Sequence, residues 1–347
     1  MSCETILTQL RSAVAGDPYA DELRATLQHH NCYGFPNRPV KTPNKLLQTL
    51  QQIVINTRFR AAEGVFHYLN SNQIPYAVVK GAVLSKQIYG NETVRFTGDV
   101  DILLPRKCAD NIKTCFLQNG FQQGRIVDDE IIPYTRRELI FQSTQSHQLA
   151  PFVTATGNKI CPFVNYDINV ELFWGESGQH TDMEAFLADT VPMVIGGIEV
   201  CTLPPEKEFA AMCLHHYKDW NSIYLLAERG VPLSHFFDVY GYLFVQKPDA
   251  QKLRDICDWL SATKYVYFCI KYASELFGVA CFNHYLKALE TPENNIRTDF
   301  YGLNENDRRP WNTSLASRVF DKSFSVRFRQ SLTERDREII WLNHTMM

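Results

Sequence analysis

The chain has 347 residues, with 35 Lys and Arg against 38 Asp and Glu, which gives a formal net charge of -3. Hydrophobic residues make up 45% of the chain and charged residues 21%, a composition that excludes a largely disordered protein. A chain of this length has room for two domains. The near-neutral charge also argues against a protein that coats nucleic acid.

Membrane and secretion signals are not expected from the sequence. No stretch of about 18 apolar residues runs without a charge, and the first residues, Met-Ser-Cys-Glu-Thr, lack the basic start and apolar core of a secretion signal. The ten cysteines are scattered and form no Cys-x-x-Cys pair, so we expect small buried hydrophobic residues rather than a zinc or disulfide framework. We therefore expect a cytoplasmic protein.

Residues 1–74 predict a helical N-terminal region. Apolar spacing predicts a helix or a helix pair over residues 4–30, broken at Gly16-Asp17-Pro18. Residues 31–43 contain three prolines and a glycine and are typical of a linker. A long helix is predicted from Lys45 to about Leu69.

Residues 75–203 predict a mixed α/β domain. A short apolar strand at 76–81 leads into a helix at 82–89, and a strand at 97–104 leads into a helix at 108–117 that Asn119-Gly120 ends. Further strands are predicted at 121–127, 138–142, 165–173 and 198–203. The fold class predicted for the chain is α+β, with a small mixed sheet between helical regions.

In residues 204–347, apolar residues again recur at the spacing of α-helices. Apolar residues from Phe209 to Trp220 recur at intervals of three and four, which predicts one buried stripe. Further helices are predicted at 236–244, 253–260 and 265–276, the last between Thr263 as N-cap and Gly278 as C-cap. The tail from Arg308 onward is locally basic. We expect a helical C-terminal domain that binds the acceptor and the nucleotide.

The most informative segment runs from Gly98 to Leu104, with the sequence Gly-Asp-Val-Asp-Ile-Leu-Leu. In a strand, Asp99 and Asp101 share one face, with Cα atoms about 6.6 Å apart. Two aspartates on one face repel each other, which a bound magnesium ion would relieve. Taken alone, the motif fits two solvated aspartates at a strand edge at least as well.

Two other segments favour a metal site. Val78-Val79-Lys80-Gly81 ends a strand where a helix begins, and such a turn binds phosphate through backbone N–H groups. Glu171 lies in a later alternating segment and would complete a two-metal site for phosphoryl transfer. Asp167 has the same strand parity and is an alternative third ligand, or a solvated strand end.

These segments together resemble a known family. The uncharacterised nucleotidyltransferase family of the polymerase-beta-like superfamily has the pattern LKG, LY, R, DIDLLV and VDLHW, followed by a helical domain with His and Trp in its first helix. The resemblance is clearest over residues 75–175. The matching residues are Lys80-Gly81, Tyr89, Arg95, Gly98–Leu104, Val170–Trp174, then His215, His216, Lys218, Trp220 and Asp238.

The resemblance implies roles for individual residues. Asp99, Asp101 and Glu171 would be the catalytic carboxylates and the ligands of two Mg²⁺ ions. The chain departs from the pattern at Ala82, where the wider superfamily has serine, and at Phe173, where the family often has histidine. The implied nucleotide-binding residues are Lys80, Gly81, Arg95, Gly98, Lys218 and His215. Arg95 fits an exposed arginine in a loop equally well. For His216, a packed and hydrogen-bonded side chain is favoured over a role in binding.

The sequence therefore predicts a magnesium-dependent nucleotidyltransferase. It would move a nucleoside monophosphate, with AMP from ATP expected, onto a small-molecule or peptide acceptor and release pyrophosphate. Nucleic acid is not the expected partner. The alternatives are an inactive module that senses nucleotide or binds a partner, a toxin-like nucleotidyltransferase that acts on tRNA, and a purely structural scaffold.

Overall fold

The computed structural model describes residues 2–18, 21–30, 32, 35, 45–292, 298–303, 308–337 and 340. The chain forms two compact units. One unit comprises residues 41–208, and the other combines residues 1–40 with residues 209–347.

Helices predominate at both ends of the chain, and most strands lie between them. The α-helices are α1 (Cys3–Ala15), α2 (Asp21–His29), α3 (Lys45–Ala61), α4 (Glu63–Ser71), α5 (Gly81–Tyr89), α6 (Ala109–Gln118), α7 (Arg136–Gln145), α8 (Met183–Phe186), α9 (Pro205–Asn221), α10 (Ile223–Arg229), α11 (Leu233–Val245), α12 (Ala250–Trp259), α13 (Thr263–Phe277), α14 (Asn283–Ala288), α15 (Leu315–Phe320) and α16 (Phe324–Ser331). The strands are β1 (Ala77–Val79), β2 (Val100–Leu103), β3 (Gln122–Val127), β4 (Glu130–Pro133), β5 (Phe152–Ala155), β6 (Phe163–Asn169), β7 (Val191–Ile195), β8 (Ile198–Thr202), β9 (Phe300–Tyr301) and β10 (Arg309–Pro310).

The unit of residues 41–208 contains a six-stranded mixed sheet with the order β1-β2-β6-β5-β3-β4. Strands β2 and β6 are parallel, and the other neighbouring strands are antiparallel. Helices α3 and α4 add Phe59, Val65 and Phe66 to the core beneath the sheet. The helical preface of this unit is thus part of the same hydrophobic core as the sheet.

Strand β6 shows how the sequence pattern sets the two faces of the sheet. Val164, Tyr166 and Ile168 are buried in the core, whereas Asn165 and Asp167 alternate with them and remain partly exposed. Side chains of a strand point to opposite faces in turn. The polar side chains of β6 therefore lie on the face of the sheet opposite the core.

The second unit is built around aromatic side chains of its helices. Trp220 of α9 is fully buried and stacks on Phe236 of α11, with ring centroids 4.4 Å apart. Tyr272 of α13 meets the same indole edge-on at 5.1 Å. Helix α1 packs against α13 and α15, so the first residues of the chain share this core. No helix among the described residues is long and apolar enough to cross a membrane.

The structure confirms the mixed α+β class and most predicted elements, with these corrections. The strand predicted at 97–104 is limited to Val100–Leu103, so Asp99 lies before it. Thr263 is the first residue of α13, and the N-cap of that helix is Ala262. The helix predicted from Lys45 to Leu69 is two helices that meet at Ala62. The strand predicted at 138–142 lies within helix α7, because Thr135 and Glu138 form a capping box that fixes the helix start. The strand predicted to extend to Phe173 ends at Asn169.

The compact units also differ from the predicted boundaries at 74/75 and 203/204. Helices α3 and α4 join the sheet unit because their apolar faces pack on it. Residues 1–40 join the C-terminal helices through α1. Of the linker predicted at 31–43, only residues 32 and 35 are among the described residues.

Candidate active site

Three aspartates meet on the polar face of the sheet, at the start of the parallel pair β2 and β6. Asp101 on β2 is the register partner of Asp167 on β6, and Asp99 lies just before β2. Each of Asp99 and Asp167 experiences electrostatic repulsion from Asp101, and Asp99 also repels Asp167. The structure thus brings together two predicted carboxylates and the alternative third one.

The environment of Asp99 and Asp167 disfavours the charged form of their carboxylates. Burial raises the pKa of Asp99, and repulsion from Asp101 raises it further. Burial and the same repulsion raise the pKa of Asp167 to about 7. Lys80 favours the charged form of both residues, and Arg58 favours that of Asp99. A set of oxygen donors whose mutual repulsion is only partly neutralised fits hard divalent cations such as Mg²⁺.

Asp101 is held by two donors. The Lys80 ammonium lies 2.8 Å from Asp101 Oδ1, and the Asn169 side-chain amide donates to the same oxygen at 3.2 Å. The Lys80 and Asp101 side chains are 15% and 12% exposed, so water screens this pair only weakly. The carboxylate is therefore fixed in orientation before any ligand binds.

The turn between β1 and α5 has a strained backbone. Lys80 adopts φ 58° and ψ −153°, a region that non-glycine residues rarely occupy and that costs about 1–3 kcal/mol. Gly81 follows with φ +43° and starts α5, whose first backbone N–H groups lack intrahelical partners. A pocket beside this turn is lined by Arg58, Lys80, Gly81, Thr97 and Asp99, among others.

Glu208 stabilises the strained turn by accepting a hydrogen bond from its backbone. The backbone N–H of Lys80 donates to Glu208 Oε1 at 3.2 Å, and the Thr202 hydroxyl lies 3.5 Å from Oε2. Glu208 is fully buried, and burial raises its pKa to about 7. The sequence carries no local signal for Glu208, because it resembles any acidic residue in the first turn of a helix.

Arg58 and Thr97 were also missed. Arg58, near the end of α3, donates from Nη1 to the carbonyl of Thr97 at 2.6 Å. The Thr97 hydroxyl lies 2.9 Å from the carbonyl oxygen of Asp99 and 3.3 Å from its Oδ1. Arg58 lies far from Asp99 in sequence, so only the packing of α3 on the sheet reveals its role.

Glu171 lies in the turn after β6 and not on the strand that the sequence predicted. Its two carboxylate oxygens each lie 3.0 Å from the backbone nitrogen of Thr181, and its Oε1 also accepts from the nitrogen of Leu172 at 2.8 Å. His180 Nδ1 is 3.6 Å from Oε2. These contacts tie Glu171 to the loop after β6, whereas Asp167 is the acidic residue in register with Asp101.

The other predicted nucleotide-binding residues are spread over both units. The backbone N–H of Arg95 donates to Ser85 Oγ at 3.0 Å in the loop before β2, and Gly98 lies in the same loop. His215 and Lys218 lie on α9 in the unit that contains residues 209–347. The nucleotide role of these four residues stays a prediction.

We predict that Gly81→Ala destabilises the protein and that Gly98→Ala does not. A Cβ at Gly81 would require the left-handed region and would lie 3.1 Å from Thr97 Oγ1, which costs about 1–2 kcal/mol. A Cβ at Gly98 meets nothing within 4 Å, and its φ lies outside that region. Urea unfolding of the two variants measures the difference. Equal free energies of unfolding would contradict the conformation assigned to the turn.

We predict that Glu208 makes the protein less stable as pH rises from about 4.5 to about 7. Its pKa is raised from the ordinary value of 4.5 to about 7 in the folded state, so the folded protein binds a proton that the unfolded chain has lost. Stability is therefore greatest at the acidic side of this window and falls by on the order of 3 kcal/mol across it. Urea unfolding at several pH values should show a smaller fall for Glu208→Gln. Parallel pH profiles for the two proteins would contradict this prediction.

Comparison with known proteins identifies a family for the chain. The family model of the uncharacterised nucleotidyltransferases matches residues 22–278. No curated protein matches the chain. Among solved structures, an antigenic nucleotidyltransferase-like protein from Paracoccidioides brasiliensis matches with 17% identity over 71% of this chain and 94% of its own, at a TM-score of 0.38. Because the family model covers well over half of its length, this chain belongs to the uncharacterised nucleotidyltransferase family.

Proposed function

We propose that the protein is a magnesium-dependent nucleotidyltransferase that moves a nucleoside monophosphate from a nucleoside triphosphate to an acceptor and releases pyrophosphate. The observation that carries the proposal is the convergence of Asp99, Asp101 and Asp167 beside the turn at Lys80-Gly81. Family membership supports the class of reaction. ATP is the expected donor.

In this proposal Asp99, Asp101 and Asp167 hold two divalent ions, and Asp167 replaces Glu171 as the third carboxylate. Bound Mg²⁺ supplies charge neutralisation for the phosphates and activation of the attacking oxygen. The first N–H groups of α5 bind phosphate oxygens at the helix N-terminus. Lys80 and Arg58 add positive charge on the same side, and Glu208 fixes the backbone of Lys80.

The proposed acceptor class rests on the charge of the chain. We propose a small molecule or a peptide as the acceptor, because the chain carries a net charge of -3 and polyanions favour basic partners. A cytoplasmic location is also part of the proposal. The transfer needs an acceptor oxygen or nitrogen in line with the phosphate and little covalent help from the protein. Arg95 and Gly98, in the unit of residues 41–208, remain in the proposed nucleotide-binding set. The nucleotide role of His215 and Lys218 stays a prediction.

One contact favours a second candidate function, a module that senses nucleotide without transferring it. The Lys80 ammonium is paired with Asp101. It therefore already offsets the negative charge of the carboxylate that a metal ion would otherwise neutralise. If this pair persisted with nucleotide bound, the site would bind phosphates through Lys80 and α5 alone. Binding would then be independent of Mg²⁺, which separates the two functions.

We predict that Asp167→Asn weakens magnesium-dependent ATP binding at least about tenfold, because an oxygen ligand with its charge is lost. The same change should raise the unfolding temperature of the metal-free protein, because it removes a buried carboxylate repelled by two others. Glu171→Gln is the matched control and should leave the dependence on Mg²⁺ unchanged. Isothermal titration calorimetry with and without Mg²⁺, together with thermal unfolding, measures both effects.

A stronger effect of Glu171→Gln than of Asp167→Asn on the Mg²⁺ dependence would refute the assignment of the third carboxylate. Release of pyrophosphate from ATP, assayed across small molecules, peptides and total tRNA, tests transfer itself. Binding that needs no Mg²⁺, with no pyrophosphate released, would establish the sensing module instead. Release only with tRNA would overturn the proposed acceptor class.

A further inference from the structure

Helices α9 and α11 bring three histidines together within the unit that contains residues 209–347. His215 and His216 lie on α9, and His235 lies in the first turn of α11. One ring nitrogen from each lies within 4.8 Å of the others. The rings of His216 and His235 stack with centroids 4.0 Å apart and an interplanar angle of 13°. Three converging imidazoles are a donor set that suits Zn²⁺ and related ions.

Buried carboxylates lie beside the histidines. His215 Nε2 lies 3.4 Å from Asp219 Oδ2, and His216 Nε2 lies 3.3 Å from Asp238 Oδ2. The Asp219 and Asp238 side chains are only 1% and 3% exposed. A neutral imidazole that donates from one nitrogen keeps a lone pair on the other. Metal-ligating histidines are commonly oriented by a carboxylate in this way.

Asp219 supplies an independent observation. Its Oδ1 is buried and accepts no hydrogen bond from any residue in the described part of the chain. Oδ2 of the same carboxylate pairs with Arg229 and lies 3.9 Å from His235 Nε2. A buried carboxylate oxygen without a donor is costly. A cation held by the adjacent histidines would lower the cost of burying this charge.

We propose that His215, His216 and His235 bind a zinc-class divalent ion, with Asp219 and Asp238 orienting the rings. This site goes beyond the proposed function, and its nitrogen donors set it apart from the oxygen donors of Asp99, Asp101 and Asp167. Zn–N bonds measure about 2.0–2.1 Å, so the stacked pair would tilt to bring its nitrogens closer. The ion would join α9 to α11. The His215 side chain, 26% exposed, gives the ion a route from solvent.

The test uses the full-length protein, stripped of metal and titrated with Zn²⁺ in the presence of excess Mg²⁺. We expect one Zn²⁺ per chain and a higher unfolding temperature when it is bound. Co²⁺ in place of Zn²⁺ should give an absorption spectrum typical of nitrogen ligands. His215→Gln should lower the Zn²⁺ affinity at least about tenfold, and Asp219→Asn by about 10–100-fold.

Matched variants separate this site from the carboxylate site and from loss of folding. His284→Gln changes an exposed histidine of α14 and should bind Zn²⁺ as the wild type does. Asp99→Asn combined with Asp101→Asn should also keep Zn²⁺ binding, even if all nucleotide binding is lost. Because His215 is partly exposed, His215→Gln should keep the unfolding temperature of the metal-free wild type. No Zn²⁺ uptake by the wild type, or unchanged affinity in both His215→Gln and His235→Gln, would overturn the proposal.

Discussion

The parallel pairing of β2 with β6 is the constraint on which the candidate active site depends. It sets Asp101 beside Asp167 and leaves Asp99 next to both, with three like charges in a partly buried place. Like charges that repel one another in a partly buried place destabilise the fold. Core packing does not require this cost, and the proposed binding of cations would offset it.

The backbone of Lys80 also has an energetic cost at the candidate site. Its φ of 58° is unfavourable for a side chain larger than glycine, yet the turn is held by the hydrogen bond to the buried Glu208. The strained geometry brings the Lys80 ammonium to Asp101 and places the start of α5 beside the pocket.

Much of this arrangement was predictable from the sequence, and the rest needed tertiary structure. Alternation predicted that Asp99 and Asp101 lie together, and they do, although Asp99 lies just before β2 and not on it. The apolar run before Lys80-Gly81 predicted the turn. Alternation alone cannot distinguish Asp167 from Glu171, because residues four apart have the same parity. The pairing of β6 with β2, which ends at Asn169, puts Asp167 in register with Asp101 and supports Asp167 as the proposed third carboxylate. Local pattern also failed at residues 138–142, where a capping box overrode an apolar segment that looked like a strand.

Contacts between distant parts of the chain left no local signal. Arg58 reaches Thr97 because α3 packs on the sheet, and Glu208 reaches Lys80 across 128 residues of chain. The histidine cluster combines α9 with α11, so the sequence indicated His215 and His216 but gave no sign of His235. Periodicity predicts which face of an element is buried, whereas these sites depend on which elements become neighbours.

Anomalous scattering from Mn²⁺ in crystals grown with a non-hydrolysable nucleoside triphosphate is the most direct test of the proposed cation site. We expect two anomalous peaks coordinated by oxygens of Asp99, Asp101 and Asp167, with the triphosphate at the start of α5. Peaks coordinated by Glu171 with Asp167 remote from them, or bound nucleotide with no Mn²⁺ between these aspartates, would contradict it.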